Sequence, residues 1–259
     1  MDEWAERARS FGQVAELYDR YRPGYPDQLY TDVLALAPGR RILDAGAGTG
    51  RVTVEFARRG AAVLAVEPDP AKAALARQRA RGLEVVIEQS TFEDHRVEPE
   101  AFDLVVSAQA WHWIDRDAGA AVAIRALREG GALAVWWNRP RELAGPGWDA
   151  VHDAYARHAP ELDRRDRPHT HTRPEDAVGP GPGFTPWTSR TYDWSARYDA
   201  PSYCGLLRTH SDHVRLPAAQ RDRLLDAVHD AIMEAGHGQL EYRYRTLLLS
   251  AHPHAPPPS

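Results

Sequence analysis

ILDAGAGTGRVT, residues 42–53, is the stretch from which the rest of the chain is read. An apolar run ends at Asp44, three glycines alternate at Gly46, Gly48 and Gly50, and a helical pattern starts at Arg51. Glycine is needed where a backbone turns tightly and meets a ligand with no Cβ in between, so this loop is expected to hold one. The plainer alternative is a simple strand-to-helix turn. The dinucleotide fingerprint G-x-G-x-x-G would need its third glycine where Arg51 stands. Asp44, just before the loop, would repel a pyrophosphate but accept hydrogen bonds from an amine. The spacing therefore speaks against NAD.

Working outward, Glu67 in AVEPDP follows Asp44 by 67 − 44 = 23 residues. That is close to the ~20-residue offset at which a carboxylate grips ribose hydroxyls in a βαβ unit, so a nucleoside is implied. A solvated strand end is the alternative for Glu67. Around these two carboxylates RRILDAG, AAVLAVEP, LEVVIEQS, FDLVVSAQ and GGALAVWWN read as buried strands. RVTVEFARRG, PAKAALARQRARG and IDRDAGAAVAIRALREGG read as the helices between them. Such alternation predicts an α/β fold with a mostly parallel sheet covered on both faces.

Residues 1–30 form a helical, aromatic-rich preface closed by Pro23 and Pro26. After Asn138 the chain turns to proline, glycine and histidine, and a long irregular connection through RDRPHTHTRPEDAVGPGPGFTPW is expected. A strand, TSRTYDWSARYD, two helices, SYCGLLRTHS and AAQRDRLLDAVHDAIMEAG, and a last strand, QLEYRYRTLLLS, follow. The two strands are expected to pair antiparallel at the sheet edge, and the tail AHPHAPPPS to be disordered. HTHTR, with His169 and His171, reads as loop, since no carboxylates accompany it at metal-ligand spacing; no metal is expected.

The 259 residues, 43% hydrophobic and 27% charged with a formal net charge of -5, are those of a globular chain. No apolar run approaches the ~18 residues that would cross a bilayer. The start, MDEWAERARS, is acidic and amphipathic where a secretory signal is basic and then apolar, so a cytoplasmic location without membrane attachment is expected. One cysteine, Cys204, excludes an intrachain disulfide framework and a Cys-rich zinc site. A sequence pI near 6.2 speaks against a nucleic-acid partner, whose footprint usually brings a pI above about 9. The expected partner is a small-molecule substrate, the expected assembly a monomer or homodimer.

Taken together, DAGAGTG, AVEPD, STFED and FDLVVSAQAWHW resemble the class I S-adenosylmethionine-dependent methyltransferases. YDRYRPGYP, YCGLLRTHSDH and YRYRTLLL are further similar to bacterial small-molecule methyltransferases of the trans-aconitate kind. The resemblance implies a Rossmann-like doubly wound sheet, mostly parallel with an antiparallel edge strand, and a helical cap over the active site. The implied layout is a lid at 1–30, a cofactor-binding core at 31–140, cap helices and the last two strands at 141–250, and a tail at 251–259. It also implies that Asp44 and the backbone from Gly46 through Gly48 to Gly50 hold the methionine part of S-adenosylmethionine, while Glu67 binds the ribose. Pro68 would flank the adenine, Thr91 and Phe92 would touch its edge and face, and Ala108 and Gln109 would lie near the sulfonium. Phe92 is equally suited to the core. Tyr18 and Arg22 join the cofactor set, the Arg22 fork suiting a carboxylate of cofactor or acceptor; a surface salt bridge is the alternative.

Ligands of such sheets lie at the carboxyl ends of the strands, so the acceptor is expected over AQAWHW and WWNR. Trp111, Trp113, Trp136 and Trp137 are expected as an apolar wall, with Asn138 beside them and Arg208 and Ser211 of LLRTHS reading polar groups. Core packing and helix capping are the alternatives. His112 is the candidate general base, because an imidazole takes a proton near neutral pH; a structural histidine is the alternative, and a carboxylate acceptor would need no base. The activity these readings imply is in-line methyl transfer to oxygen, nitrogen or carbon of a small molecule, ester formation included. The alternative is a protein that binds the methyl donor and transfers nothing.

Overall fold

Five apolar runs become the parallel part of a seven-stranded sheet in the computed structural model, which describes residues 20–141, 143–163 and 178–254. The strands are β1 (Arg41–Ala45), β2 (Ala62–Val66), β3 (Val85–Glu88), β4 (Phe102–Ala108), β5 (Leu127–Pro140), β6 (Thr188–Asp199) and β7 (Gln239–Ala251). Their order is β3-β2-β1-β4-β5-β7-β6, mostly parallel with an antiparallel edge. Ile42 pairs with Val63 on one side and Leu104 on the other, and Asp44 with Ala65 and Val106. The chain thus runs outward from β1 to β3 and returns to β4 on the opposite side of β1. Such a reversal opens a crevice at the carboxyl ends of β1 and β4, where ligands of open α/β sheets bind.

Alternation along the strands fills both faces. Ile42, Leu104, Val106, Ala134 and Trp136 belong to one buried cluster, and Leu43, Val105, Leu133, Val135 and Trp137 to the other. The covering helices are α1 (Asp27–Leu34), α2 (Arg51–Arg58), α3 (Pro70–Arg79) and α4 (Arg116–Ala126). Local chemistry sets their starts: Asp69 accepts from the amides of Ala71 and Lys72, with Pro70 in the first turn, and Asp115 accepts from those of Asp117 and Ala118.

The described residues divide into two compact units. One holds residues 24–138, 178–192 and 246–254, the other 20–23, 139–163 and 193–245, so β5, β6 and β7 each contribute a stretch to both. In the second unit α5 (Pro146–His158), α6 (Ala200–Leu207), α7 (Ser211–Val214) and α8 (Ala218–Glu234) bury Trp148, Val151, Tyr203, Leu224, Leu225 and Ile232.

Several expectations change. The connection after Asn138 contains a 13-residue helix, α5, whose Pro146 and Gly147 read as breakers although proline suits a first turn. Its buried positions, Trp148, Val151, Ala154 and Tyr155, keep helical spacing. Helix α4 stops at Ala126, because Leu127 already pairs with Phe102, with a register shift before Leu104. Residues 27–34, assigned in part to a lid, lie in the core unit, where Leu29, Tyr30 and Val33 are buried. Ala251 to His254, expected in a disordered tail, are instead tied down. The amide of Thr185 donates to the His252 carbonyl, that of His254 to the Gly183 carbonyl, and Phe184 bridges Pro253. Among the described residues no helix is long and apolar enough to cross a membrane.

Leu104 is fully buried in the central strand β4. Leu104→Ala is expected to lower the unfolding free energy by about 2–5 kcal/mol, as read from urea denaturation, because a close-packed sheet interior cannot collapse around the cavity.

Candidate functional site

The carboxyl ends of β1 and β2 deliver Asp44 and Glu67, 1% and 5% exposed. The amides of Gly46 and Ala47 donate to the Val66 carbonyl at 2.9 and 3.1 Å. The Gly48 amide donates to Glu67 Oε2 at 2.7 Å and the Asp69 amide to Glu67 Oε1 at 3.0 Å. Each oxygen of Glu67 thus accepts one backbone N–H and keeps a further lone pair for other donors. The loop needs its glycines for two reasons. Gly46, Gly48 and Gly50 have φ of 76°, 58° and 78°, which side chains with a Cβ rarely adopt. A Cβ on Gly46 would also come within 2.6 Å of the Ala110 Cβ, whereas among the described residues no atom beyond its chain neighbours lies within 4 Å of one built on Gly48. Gly46 lets the turn after β4 pack close, and Gly48 leaves the loop surface open.

Burial pushes the Asp44 carboxyl up to about 7 and the neighbouring Glu67 charge adds to the rise, while a hydrogen bond from Thr53 Oγ1 at 2.6 Å opposes it. A cationic ligand group beside Asp44 would favour its ionised form. Thr53 went unnoticed in the sequence; its only signal is a hydroxyl on the buried face of α2. Two more supports were missed: Arg79 Nη1 donates to the Thr49 carbonyl at 3.2 Å, and Ser107 Oγ to that of Ala45 at 2.8 Å. These two carboxylates, as acceptors, suit a ligand with a cationic end and a pair of vicinal hydroxyls. Two buried carboxylates do not suit a pyrophosphate.

The turn after Ala108 carries strain. Gln109 has φ 59°, unusual for a residue with a side chain, and its amide donates to the Trp136 carbonyl at 2.9 Å. The following 3₁₀ turn, Trp111–Trp113, places His112 so that Trp137 Nε1 donates to His112 Nδ1 at 3.1 Å. An indole N–H can only donate, so Nδ1 presents its lone pair and the neutral ring carries its proton on Nε2.

The aromatic wall is corrected. Trp111, Trp136 and Trp137 are core side chains, no more than 2% exposed, and only Trp113, at 81%, is open. Phe92 is buried with its ring edge-on to Trp111 at 5.8 Å, a core position. Thr91, exposed, donates to Asp94 Oδ2 at 2.7 Å and accepts from the Asp94 amide at 3.3 Å, and Pro68 is exposed. Asn138, expected to read substrate, instead joins backbone segments: its Nδ2 donates to the Gly24 carbonyl at 3.0 Å and its Oδ1 accepts from Thr246 at 2.6 Å.

The remaining expected residues belong to the other unit or fall outside the description. Arg22 donates through Nε to Thr209 Oγ1 at 3.0 Å and through Nη2 to the Thr209 carbonyl at 3.2 Å. Arg208 is exposed at the end of α6, and Ser211 opens α7. Tyr18, His169 and His171 lie outside the described residues. In the same unit as Arg22, buried His213 links Tyr155 to Asp212, each at 2.7 Å, which pins α7 to α5. Burial lifts the Cys204 thiol to about 11, the state of an unreactive thiol.

Residues 43–135 match a family model described as a methyltransferase domain. An uncharacterised methyltransferase of Mycobacterium tuberculosis is 33% identical over 219 residues, covering 85% of this chain and 84% of the relative. Among solved structures, a protein of Anaeromyxobacter dehalogenans described as a candidate type II methyltransferase covers 92% of this chain and 100% of its own, at 24% identity and a TM-score of 0.67. A Geobacter sulfurreducens S-adenosylmethionine-dependent methyltransferase, solved with S-adenosylhomocysteine, covers 95% and 98% at 15% identity and a TM-score of 0.51. The two structures speak to the fold.

The raised Asp44 carboxyl fixes a pH dependence. The folded chain prefers the protonated acid, so this contribution to stability is full below the unfolded value near 3.8 and is lost as the pH rises toward about 7. Denaturant midpoints measured between pH 4 and pH 8 are expected to fall over that window, and Asp44→Asn to flatten the fall.

Proposed function

Because the chain belongs to the class I S-adenosylmethionine-dependent methyltransferases, we propose that it methylates a small-molecule acceptor held beside the glycine loop. The observation that carries the reading is the pair of buried carboxylates, Asp44 and Glu67, flanking the open surface of Gly48. S-adenosylmethionine supplies, when bound, an electrophilic methyl group on a sulfonium, which a nucleophile displaces in line.

The residues divide the binding work by chemistry. Glu67 accepts from the ribose hydroxyls with the lone pairs its two backbone bonds leave over. Asp44, steadied by Thr53, meets the ammonium of the amino-acid end. Gly48 allows close approach, and the strained Gln109 with Ala108 shapes the wall nearest the methyl group. Thr91 and Pro68, both exposed, border the adenine. Rate acceleration comes mostly from alignment, since holding two reactants in a reactive geometry removes much of the entropic barrier. A small acceptor is favoured by the mild acidity of the chain and by exposed Trp113, a flat apolar surface on the turn after β4. The same composition supports a cytoplasmic protein acting on a metabolite.

Two measurements test this. Incubation with methyl-labelled S-adenosylmethionine and a small-molecule extract of the host is expected to yield a labelled metabolite and S-adenosylhomocysteine. Bound but intact donor with no labelled product would overturn the proposal in favour of a binding protein. In calorimetric titration with S-adenosylhomocysteine, Glu67→Gln is expected to weaken binding at least tenfold, since hydrogen bonds to a charged group are worth about 1.5–3 kcal/mol. Gly48→Ala is expected to weaken it as much while costing the fold only about 1–2 kcal/mol, because the protein itself leaves room for the methyl.

A further inference from the structure

Two carboxylates buried on neighbouring strands, with only neutral donors bonded to them, set a condition on how the site takes its ligand. Resting on the methyltransferase reading, we propose that Asp44 holds a proton until the cofactor's ammonium arrives, that binding releases this proton to water, and that Thr53 sets the pH of the exchange.

A buried carboxylate keeps its charge only where a cation or several donors replace the lost water. Glu67 has two backbone donors, the amides of Gly48 and Asp69 at 2.7 and 3.0 Å. Asp44 is the more buried of the pair, and among the described residues it accepts from the Thr53 hydroxyl alone, at 2.6 Å. The elements around it bring no cation to its side. Glu67, after β2, adds a second negative charge, and Tyr30, from α1, adds a phenol that burial holds neutral. Strand β4 sets Val106 opposite Asp44, and the Ser107 hydroxyl turns to the Ala45 carbonyl. Arg51, which opens α2, acts on Tyr30 but is not among the groups acting on Asp44. The carboxyl accordingly rises to about 7, with Thr53 alone opposing burial and the Glu67 charge.

An ammonium beside Asp44 supplies the missing charge. The neutral acid and the cationic ligand become an ion pair and one proton in water, so charge and protons balance. The proton competes with the ligand, and affinity therefore falls about tenfold per pH unit below about 7 and levels off above it. Thr53, fully buried on α2, is a positioning residue in this exchange. Its O–H donates to the ionised oxygen and so favours the charged form, which keeps the exchange from moving to still higher pH. A ligand that carries the nucleoside without the amino-acid end asks for no exchange.

Calorimetric titration with S-adenosylhomocysteine, repeated in buffers of different ionisation enthalpy, counts the protons released. About nine-tenths of a proton is expected at pH 6 and about one-tenth at pH 8, with binding about tenfold weaker at pH 6. The probe 5′-methylthioadenosine, which has the nucleoside and a thioether but no ammonium, is expected to bind without proton release at either pH. Asp44→Asn is expected to release none with either probe. Thr53→Val loses the hydroxyl and is expected to move the fall in affinity up by about one pH unit, so that release at pH 8 grows to about half a proton. Thr53→Ser, which keeps the hydroxyl, is expected to hold the original profile. S-adenosylhomocysteine bound at pH 6 without proton release, or equal release with 5′-methylthioadenosine, would overturn the exchange. A profile unmoved in Thr53→Val would overturn the role of Thr53. No binding of S-adenosylhomocysteine at any pH would instead defeat the methyltransferase reading, and the exchange with it.

Discussion

The hydrogen bond from the Gly48 amide to Glu67, 2.7 Å long, ties the tip of one strand's loop to the end of its neighbour, and the site is built around it. It exists because β1 and β2 run parallel in register, Asp44 opposite Ala65 and Ala45 opposite Val66, so their carboxyl ends finish level. A loop of ordinary residues could not bend back that sharply. The alternating glycines, all at positive φ, make the bend possible and leave its outer surface bare. Sheet order, loop composition and carboxylate placement thus form one constraint.

That constraint collects negative charge where water is scarce. Asp44 and Glu67 are both buried, and Asp44 responds by holding its proton toward neutral pH despite the Thr53 hydroxyl. A site that buries carboxylates in this way is completed by a cation, and the methyl donor of this family is one. Stability is given up locally for binding, the usual relation between active sites and the folds that carry them. The turn after β4 follows the same pattern, with Gln109 in a strained conformation one residue before Ala110, which packs against Gly46.

Much of this was legible in the chain itself. Short apolar runs and glycine spacing marked the strands and the tight loop after β1, and the sequence offset of Glu67 marked its place at the end of β2, because these are local patterns with local causes. What escaped depends on partners distant in sequence. Trp137 reads as part of an apolar wall around the acceptor or as core packing of a buried strand, and nothing local says its N–H points at His112, 25 residues earlier. Asn138 looked available for substrate until Gly24 and Thr246 claimed both ends of its amide. Helix α5 was hidden by Pro146 and Gly147, which punctuate a loop in one context and open a helix in another.

A crystal structure of the protein with S-adenosylhomocysteine tests the central claim most directly. The account predicts both ribose hydroxyls on the Glu67 carboxylate, the ammonium at Asp44 and the ligand lying over Gly48. A ligand bound elsewhere, or one that reaches the loop without engaging Glu67, would contradict it.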